Sequence, residues 1–272
     1  IPHLEAVSVQ ERKPRLSKAD VVVITGGAKG VTAACAIEMA RQYAPTIVLL
    51  GRSEPPSAEP EWLQGLTDPA QIKKELLARE FSNQKPTPAQ LEAAFRKLMS
   101  NREITRTLKE IESAGSTVRY IPVDIRDQHQ VIAVFEEIRN EFENITAVIH
   151  GAGVLEDRFI VDKTPEQFTR VFNTKVQGLD ALIKATKADS LKYFIMFSSV
   201  AARTGNTGQS DYAMANEVLN KIAKKISDDH LECRVVSVNW GPWAGGMVND
   251  SLKGQFAKKG IELIDIKAGA AQ

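Results

Sequence analysis

Three polar side chains late in the sequence have the types and spacing that could protonate a newly formed alkoxide. Ser199 ends a short apolar run, Tyr212 follows 13 residues later, and Asn216 lies four residues beyond Tyr212. Residues four apart share one face of a helix, so Tyr212 and Asn216 would face the same side. A tyrosine releases its proton near neutrality only if a nearby positive charge lowers its pKa from about 10. Reduction of a ketone needs such an acid together with a hydride donor.

A glycine-rich turn early in the chain predicts where a dinucleotide hydride donor would bind. An apolar run ends at Thr25, and a helical pattern follows the turn directly. Glycines let the backbone bend tightly and approach a pyrophosphate, which then rests on the positive N-terminus of the helix. The order of strand, turn and helix is more specific than a glycine pattern alone. The residues predicted to hold the dinucleotide here are Gly26, Gly27, Lys29, Gly30 and Val31.

Arg52 and Ser53 indicate which dinucleotide this site prefers. They follow the second apolar run, where folds that prefer NAD carry an Asp or Glu for the ribose 2′-hydroxyl. A guanidinium binds a phosphate through two parallel hydrogen bonds, whereas a carboxylate would repel it. NADPH is therefore predicted rather than NADH, and the alternative for Arg52 is a solvated surface arginine.

The elements that must position these residues alternate between buried strands and amphipathic helices. Continuous apolar runs, typical of strands buried on both faces of a parallel sheet, occur at 21–24, 46–50, 118–123, 147–149, 193–197 and 234–238. Helical patterns lie between them at 31–43, 128–143, 165–187 and 212–227. This alternation predicts an α/β fold with a Rossmann-like, doubly wound parallel sheet. Ligands bind at the carboxyl edge of such a sheet, where Ser199 would lie.

The second crossover, residues 51–116, is far longer than the dozen or more residues that such a connection needs. A Pro-rich stretch opens it, and a helical pattern with Ile72, Leu76 and Leu77 follows. A second helix is predicted to begin at Thr87-Pro88-Ala89-Gln90, which reads as a capping box with Pro at the first helical position. Its last turns would be the ordinary crossover helix, and the rest, about 54–103, an insertion. Either a helical hairpin packed on the sheet rim or a docking element for a neighbouring domain or second subunit fits this pattern.

Composition excludes several classes of function. The net charge is +1, which argues against a nucleic-acid surface or a strongly cationic membrane patch. No apolar run reaches the roughly 18 residues of a membrane span, and no signal peptide is present, so a cytoplasmic protein without membrane contact is expected. Cys35 and Cys233 lie in apolar runs and are interpreted as reduced core thiols. No metal site is predicted.

The residues around Tyr212 resemble the ketoreductase domains of modular and iterative polyketide synthases, within the short-chain dehydrogenase/reductase superfamily. Ordinary members have Tyr-x-x-x-Lys and an asparagine on an earlier helix. Here Asn216 stands in the place of that lysine, and Lys175 lies on the earlier helix, 24 residues before Ser199. The glycine turn matches the TGxxxGxG pattern except at Thr32, whose β-branched side chain is expected to shift the cofactor slightly. The insertion and the TGGAKGVTAACA form of the turn are more similar to polyunsaturated fatty acid synthases.

This resemblance implies roles for the individual residues. Tyr212 would donate the proton, and Ser199 would hydrogen-bond the substrate carbonyl. Lys175 would acidify Tyr212 and bind the nicotinamide ribose, while Asn216 would orient that network. The implied adenine and nicotinamide contacts are Asp124, Ile125, Gly151, Ala152 and Gly153. His150, directly before this second glycine turn, is interpreted as a packed histidine rather than an acid or base.

Two further segments resemble the parts of synthase ketoreductases that control the substrate. Leu155-Glu156-Asp157 is similar to the Leu-Asp-Asp motif of the class that yields a D-configured hydroxyl, with Asp157 in the third place. The opposite class has a tryptophan eight residues before the tyrosine, where this chain has Thr204. A mobile lid over substrate and nicotinamide is implied after the sixth strand, with glycine hinges; a plain Gly/Pro loop is the alternative. The lid residues implied to touch cofactor or substrate are Pro242, Trp243 and Met247.

The resulting prediction is NADPH-dependent reduction of a β-ketoacyl thioester, carried by an acyl carrier protein among neighbouring synthase domains, to the D-alcohol. The alternatives are a free-standing short-chain reductase of small ketones and a redox-inactive scaffolding domain. Residues 1–20 are predicted to be a polar leader and 21–272 the catalytic domain. The start at Ile1 and the end at Gln272 suggest a piece of a longer chain, with a seventh strand beyond Gln272 and an exposed sheet edge.

Overall fold

A parallel six-stranded sheet forms the centre of the molecule, in a computed structural model that describes residues 16–82, 85–229, 232–246, 250–258 and 260–272. The strands lie in the order β3-β2-β1-β4-β5-β6. The first three strands are therefore laid down toward one edge of the sheet and the last three toward the other edge, with the reversal between β1 and β4. Such a reversal is the topological switch point at which α/β sheets bind ligands. The strands are β1 (Val21–Thr25), β2 (Thr46–Gly51), β3 (Val118–Pro122), β4 (Ala147–His150), β5 (Tyr193–Ser199) and β6 (Arg234–Trp240).

Helices cover both faces of this sheet, as the alternating pattern predicted. The helices of the described residues are α1 (Gly30–Tyr43), α2 (Pro69–Arg79), α3 (Pro88–Ser113), α4 (Gln128–Phe142), α5 (Pro165–Ala185), α6 (Ala201–Thr204), α7 (Ser210–Asp229), α8 (Asp250–Lys258) and α9 (Ile266–Ala270). Short 3₁₀ turns occur at Glu61–Leu63 and Ile160–Asp162. None of the helices within the described ranges is long and apolar enough to cross a membrane.

Two apolar cores lie on opposite faces of the sheet. One contains Phe135 and Leu182, from α4 and α5, against alternate side chains of the central strands. The other contains Ala36 of α1 with Ile104 and Ile111 of α3 against the remaining strand side chains. Because β1 is covered on both faces, all five of its residues are buried. The glycine turn after β1 is thereby held between two packed layers.

The long second crossover folds into its own small core joined to the main one through α3. Leu63, Ile72 and Leu76 are buried against the first half of α3, which contributes Leu91, Phe95 and Leu98. The second half of α3 packs on the sheet, so this helix belongs to both cores. Thr87 and Gln90 form the predicted capping box at its start. Leu77 was predicted to share the apolar face of α2, but it is 42% exposed because only Ile72 and Leu76 face α3.

The last described residues return to the carboxyl edge of the sheet. Trp243 and Ile264 form a parallel bridge, in which Ala244 N donates to Ile264 O and Ile264 N donates to Pro242 O, each over 2.8 Å. A β-carbon at Gly269 of α9 would lie 2.6 Å from the Trp243 ring, so the glycine lets α9 approach the indole. Most of the predicted leader, residues 1–15, lies outside the described residues.

Candidate active site

Tyr212, Ser199 and Asn216 meet at the carboxyl end of β5, where α7 begins. Asn216 Nδ2 donates to the Tyr212 carbonyl over 2.8 Å, as expected for residues one turn apart. Burial raises the pKa of Tyr212, while hydrogen bonds from Ser199 and Asn216 act in the opposite direction. The Ser199 hydroxyl oxygen accepts from Ala201 N over 3.2 Å, which leaves its own hydrogen for Tyr212 or for a ligand. Asn216 Oδ1 is fully buried and has no partner in the described part of the chain.

Lys175 is buried beneath the ring of Tyr212. Its Nζ donates to the Phe197 carbonyl over 2.8 Å and lies 5.7 Å from the centre of the Tyr212 ring. Burial lowers the pKa of Lys175 to about 8, so the charged form still predominates at pH 7. A β-carbon at Gly153 would lie 3.1 Å from Lys175 Cε, so the second glycine turn lies directly over this side chain.

One sequence prediction about this group needs correction. Lys175 was predicted to lower the pKa of Tyr212, yet the net direction in the structure is upward, chiefly because the phenol is buried. The ammonium of Lys175 bonds to the Phe197 carbonyl instead of reaching the phenol oxygen. Tyr212 in this arrangement is therefore a protonated donor, held in position by its neighbours, before any ligand is considered.

His150 is a packed histidine that links three elements of the site. It is fully buried, with Nδ1 2.8 Å from Thr25 Oγ1 and Nε2 2.9 Å from the Lys175 carbonyl. Because a carbonyl only accepts, Nε2 carries the hydrogen and Nδ1 accepts from Thr25. Burial, followed by the charge of Lys175, lowers the pKa of His150 to about 3. The neutral imidazole therefore ties the end of β1 to the backbone of α5, and this confirms the packed interpretation.

The two glycine turns form a cradle with no room for side chains. A β-carbon at Gly26, which has φ +70°, would lie 2.9 Å from the Ala152 Cα. Ala152 N donates to Thr25 Oγ1 over 3.1 Å, which fixes the two turns against each other. Thr32 is buried with its methyl group 2.5 Å from where a Gly151 β-carbon would lie, so Gly151 provides the space for this threonine. Gly27 instead faces Ile24 and Leu49, beneath the cradle.

The predicted adenosine end lies where β2 and β3 terminate. Arg52 is exposed at this edge, and Tyr120 Oη donates to the Ser53 carbonyl over 2.7 Å, which holds the turn. Arg126 binds the Asp124 carboxylate through its guanidinium and lowers the pKa of Asp124. Ile125 is buried beside this pair.

The segment after the second glycine turn is anchored to the start of α7 by two polar contacts. Gln209, which lies three residues before Tyr212, donates from Nε2 to Asp157 Oδ2 over 2.9 Å. Lys163 and Asp211 form an ion pair of 2.6 Å with side chains only 3% and 2% exposed. Asp211 Oδ1 also accepts from Tyr212 N over 2.9 Å. Both contacts hold residues 157–163, which we call the candidate substrate loop, against the start of α7, the helix that carries Tyr212.

Two predicted substrate segments, the one around Glu156 and the predicted lid, make contacts that the sequence did not indicate. Glu156 pairs with Arg170 of α5, whereas Asp157 contacts Gln209. Trp243 is 5% exposed and paired with Ile264 in a parallel bridge, so in this arrangement it packs as part of the wall of the site, and the movement of a lid stays a prediction. Met247 lies outside the described residues.

A single cavity of about 1150 Å³ brings most of the predicted residues together. Its size exceeds that of a typical small-ligand pocket, as a dinucleotide together with a substrate requires. The predicted residues that line it are Gly26, Lys29, Gly30, Val31, Arg52, Ser53, Asp124, Ile125, Gly151, Ala152, Gly153, Leu155, Asp157, Lys175, Ser199, Tyr212, Pro242 and Trp243. Gly27 and Asn216 support this lining from behind. The glycine cradle and the exposed guanidinium of Arg52 at the edge of the cavity fit a bound nicotinamide dinucleotide.

Sequence reasoning missed several side chains of the site. Gln209 lies one turn before Tyr212, and a search for polar residues on that helix face would have found it. Glu103 of α3 accepts from Gly30 N over 2.9 Å at the start of α1. Nothing in the local sequence indicates that contact, because it depends on how the long crossover returns to the sheet.

Solved structures share this architecture. An N-terminal ketoreductase from the macrolactin assembly line has a TM-score of 0.71 at 28% identity, over 94% of this chain and 42% of that chain. A ketoreductase domain from the bacillaene assembly line has a TM-score of 0.68 at 30% identity, over 92% and 51%. The fold and its site thus define a ketoreductase of the short-chain dehydrogenase/reductase type.

The family follows from the sequence match. The model of the KR domain matches residues 20–245, and the chain belongs to this family. It is 37% identical to a polyunsaturated fatty acid synthase polypeptide from Thraustochytrium sp. over 277 residues, 98% of this chain. The chain spans only 10% of that relative, so it corresponds to a small part of a multidomain protein.

Proposed function

We propose that this domain uses NADPH to reduce a β-ketoacyl thioester, presented by an acyl carrier protein, to the D-configured β-hydroxyacyl thioester. The observation that carries this proposal is the meeting of Tyr212, Ser199 and Lys175 in the cavity that also contains both glycine turns. An acid, a hydroxyl donor and a buried cation converge there at one edge of the sheet. NADPH, when bound, supplies the hydride.

The residues of the chain would manage the proton and the carbonyl. Ser199 Oγ donates a hydrogen bond to the substrate carbonyl oxygen, because its own oxygen already accepts from Ala201. Tyr212 Oη gives its proton to that oxygen as the carbonyl carbon is reduced. Lys175 has two hydrogens beyond the one bonded to Phe197 O, and these are available to a ribose hydroxyl. The hydrogen bond from Asn216 to the Tyr212 carbonyl would hold the first turn of α7 in place.

Two features support NADPH and the D product. Arg52 and Ser53 stand where a carboxylate would select NADH, and Arg52 makes no ion pair in the described ranges. Asp157 is held by Gln209 at the mouth of the site, and Thr204 lines the same cavity in the place of the tryptophan of the opposite class.

The domain boundaries and partners are part of the same proposal. Residues 21–272 would be the catalytic unit with an insertion at about 54–103, in a synthase whose other domains deliver and remove the acyl chain. The family match over residues 20–245 and the likeness to a polyunsaturated fatty acid synthase support this arrangement.

NADPH oxidation with a β-ketoacyl pantetheine thioester tests the proposal against its alternatives. We expect turnover with the thioester, a preference for NADPH over NADH, and a D-alcohol by chiral chromatography. Turnover confined to small free ketones would favour a free-standing reductase, and absence of turnover with tight cofactor binding would favour a scaffolding role. A predominantly L product would refute the stereochemical part alone.

A further inference from the structure

Helix α3 of the inserted crossover reaches the predicted adenosine end of the cofactor site. Lys29 Nζ donates to Ser100 Oγ over 3.0 Å, and Ser100 Oγ lies 3.3 Å from Ser53 Oγ. Lys29 belongs to the first glycine turn, Ser53 to the end of β2 and Ser100 to α3. Three separate segments therefore bring hydrogen-bond donors to one place, next to Arg52.

This group has the chemistry of an anion site. Lys29 and Arg52 are cations that only donate hydrogen bonds, and each serine hydroxyl adds one donor. Within the described ranges neither Lys29 nor Arg52 makes an ion pair. The charge of Arg52 contributes to the lowered pKa of Asp124, but the Asp124 carboxylate is bound by Arg126. Glu103 of α3 also lines the cavity, but its carboxylate accepts from Gly30 N, so a phosphate monoester would supply further oxygens to the remaining donors of this group.

The position of Ser100 is fixed from both sides of α3. Glu103, one turn further on, accepts from Gly30 N over 2.9 Å at the N-terminus of α1. Arg102, on another face of α3, donates to the carbonyls of Leu66 and Leu63 over 2.7 and 2.9 Å and pairs with Glu59. A residue held in this way keeps its hydroxyl beside Ser53, and a pre-positioned donor binds at a reduced ordering cost.

We propose that Ser100 of α3 is a ligand of the 2′-phosphate on the adenosine ribose, so that the inserted crossover takes part in discriminating NADPH from NADH. The inference rests on the proposed function for the identity of the cofactor. Lys29, Ser53 and Ser100 would share the phosphate oxygens with Arg52. Removal of the Ser100 hydroxyl would weaken only ligands that carry the phosphate.

Equilibrium binding to the full 272-residue chain tests this without catalysis. Dissociation constants would be measured by titration calorimetry for NADPH, NADH and adenosine 2′,5′-bisphosphate. For Ser100→Ala we expect about tenfold weaker binding of NADPH and of the bisphosphate, since one hydrogen bond to a charged group is lost, with NADH unchanged. Ser113→Ala, an exposed serine at the end of the same helix, should change nothing. Ser100→Thr, which retains a hydroxyl, should keep the preference.

The outcomes separate this inference from the proposed function. If the wild type prefers NADPH and Arg52→Ala abolishes the preference while Ser100→Ala preserves it, the role of Ser100 is refuted and the proposed cofactor stands. Equal weakening of NADPH and NADH by Ser100→Ala would also refute it, because the effect would then lie in the fold of α3. A wild type without any preference for NADPH overturns both.

Discussion

At the scale of the residue, Tyr212 combines burial with a hydroxyl that faces the cavity. We predict that Tyr212→Phe abolishes turnover, because the variant has no proton to give, while NADPH binding changes by less than about twofold. The phenyl ring keeps the packing of Tyr212 over Lys175, so the fold should be preserved. Steady-state NADPH oxidation and calorimetric binding check the two halves of this prediction. Retained turnover would remove Tyr212 from the proposed chemistry.

Lys175 should give the domain a characteristic dependence of stability on pH. Its pKa in the folded state is about 8, below the unfolded value of 10.5, so between these values the unfolded chain binds more protons. The free energy of unfolding therefore rises with pH across this window, and the cost of burying the charge is fully present below about pH 8. Relative to Lys175→Met, the wild type should gain about 2 kcal/mol between pH 7 and about pH 9.5.

Urea unfolding at the two pH values measures this difference. The control is Lys187→Met near the end of α5, whose charge is exposed to water in the folded chain. A difference between wild type and Lys175→Met that does not change with pH would show that Lys175 is not titrating as a buried amine.

The sequence predicts the reacting groups of the site better than the groups that hold them. Tyr212 and Ser199 can be found because a chemical role restricts their type and their spacing. Gln209 and Ser100 act through contacts between distant segments, and such contacts follow from packing that no local pattern encodes. The pKa of Tyr212 was misjudged for the same reason, because burial of the phenol in the packed site raises it.

At the scale of the element, the ion pair between Lys163 and Asp211 fastens the candidate substrate loop to α7. We predict that Asp211→Asn destabilises the domain by about 3–5 kcal/mol, because it leaves the Lys163 charge buried without its partner. Asp228→Asn is the matched control on the same helix. Its pair with Lys224 is largely exposed, so the loss should stay below about 1 kcal/mol. Equal effects in urea unfolding would contradict a structural role for the buried pair.

Strands and helices were predicted with small errors at their ends. Helix α7 begins at Ser210, two residues before the predicted start, because Ala213 N donates to the Gln209 carbonyl and closes the first turn. Leu77 was misplaced since helical periodicity cannot tell which of two adjacent leucines faces a partner. The runs 21–24 and 46–50 were recognised because both faces of those strands are buried, which leaves an uninterrupted apolar signal.

At the scale of the whole molecule, the small core of the inserted crossover should unfold separately from the sheet. Leu76 is buried only among the neighbours of that core, so Leu76→Ala should speed amide exchange across residues 61–98 and leave β1 and β4 protected. Phe135 is buried in the main core, and Phe135→Ala should weaken protection throughout. Hydrogen-exchange mass spectrometry distinguishes the two patterns. Loss of protection in β1 with Leu76→Ala would mean that both cores unfold together.

Helix α3 runs without interruption for 26 residues from one core to the other. The rotation of the small core relative to the sheet is therefore set by the number of helical residues between them. Each residue of an α-helix turns the direction of a side chain by about 100°. One residue inserted between Leu98 and Ser100 would therefore swing the small core about a quarter turn around the sheet, or carry Ser100 away from Ser53. Insertions of about seven residues, close to two full turns, would restore the phase. Length changes in this part of the chain should therefore be tolerated in steps of whole helical turns.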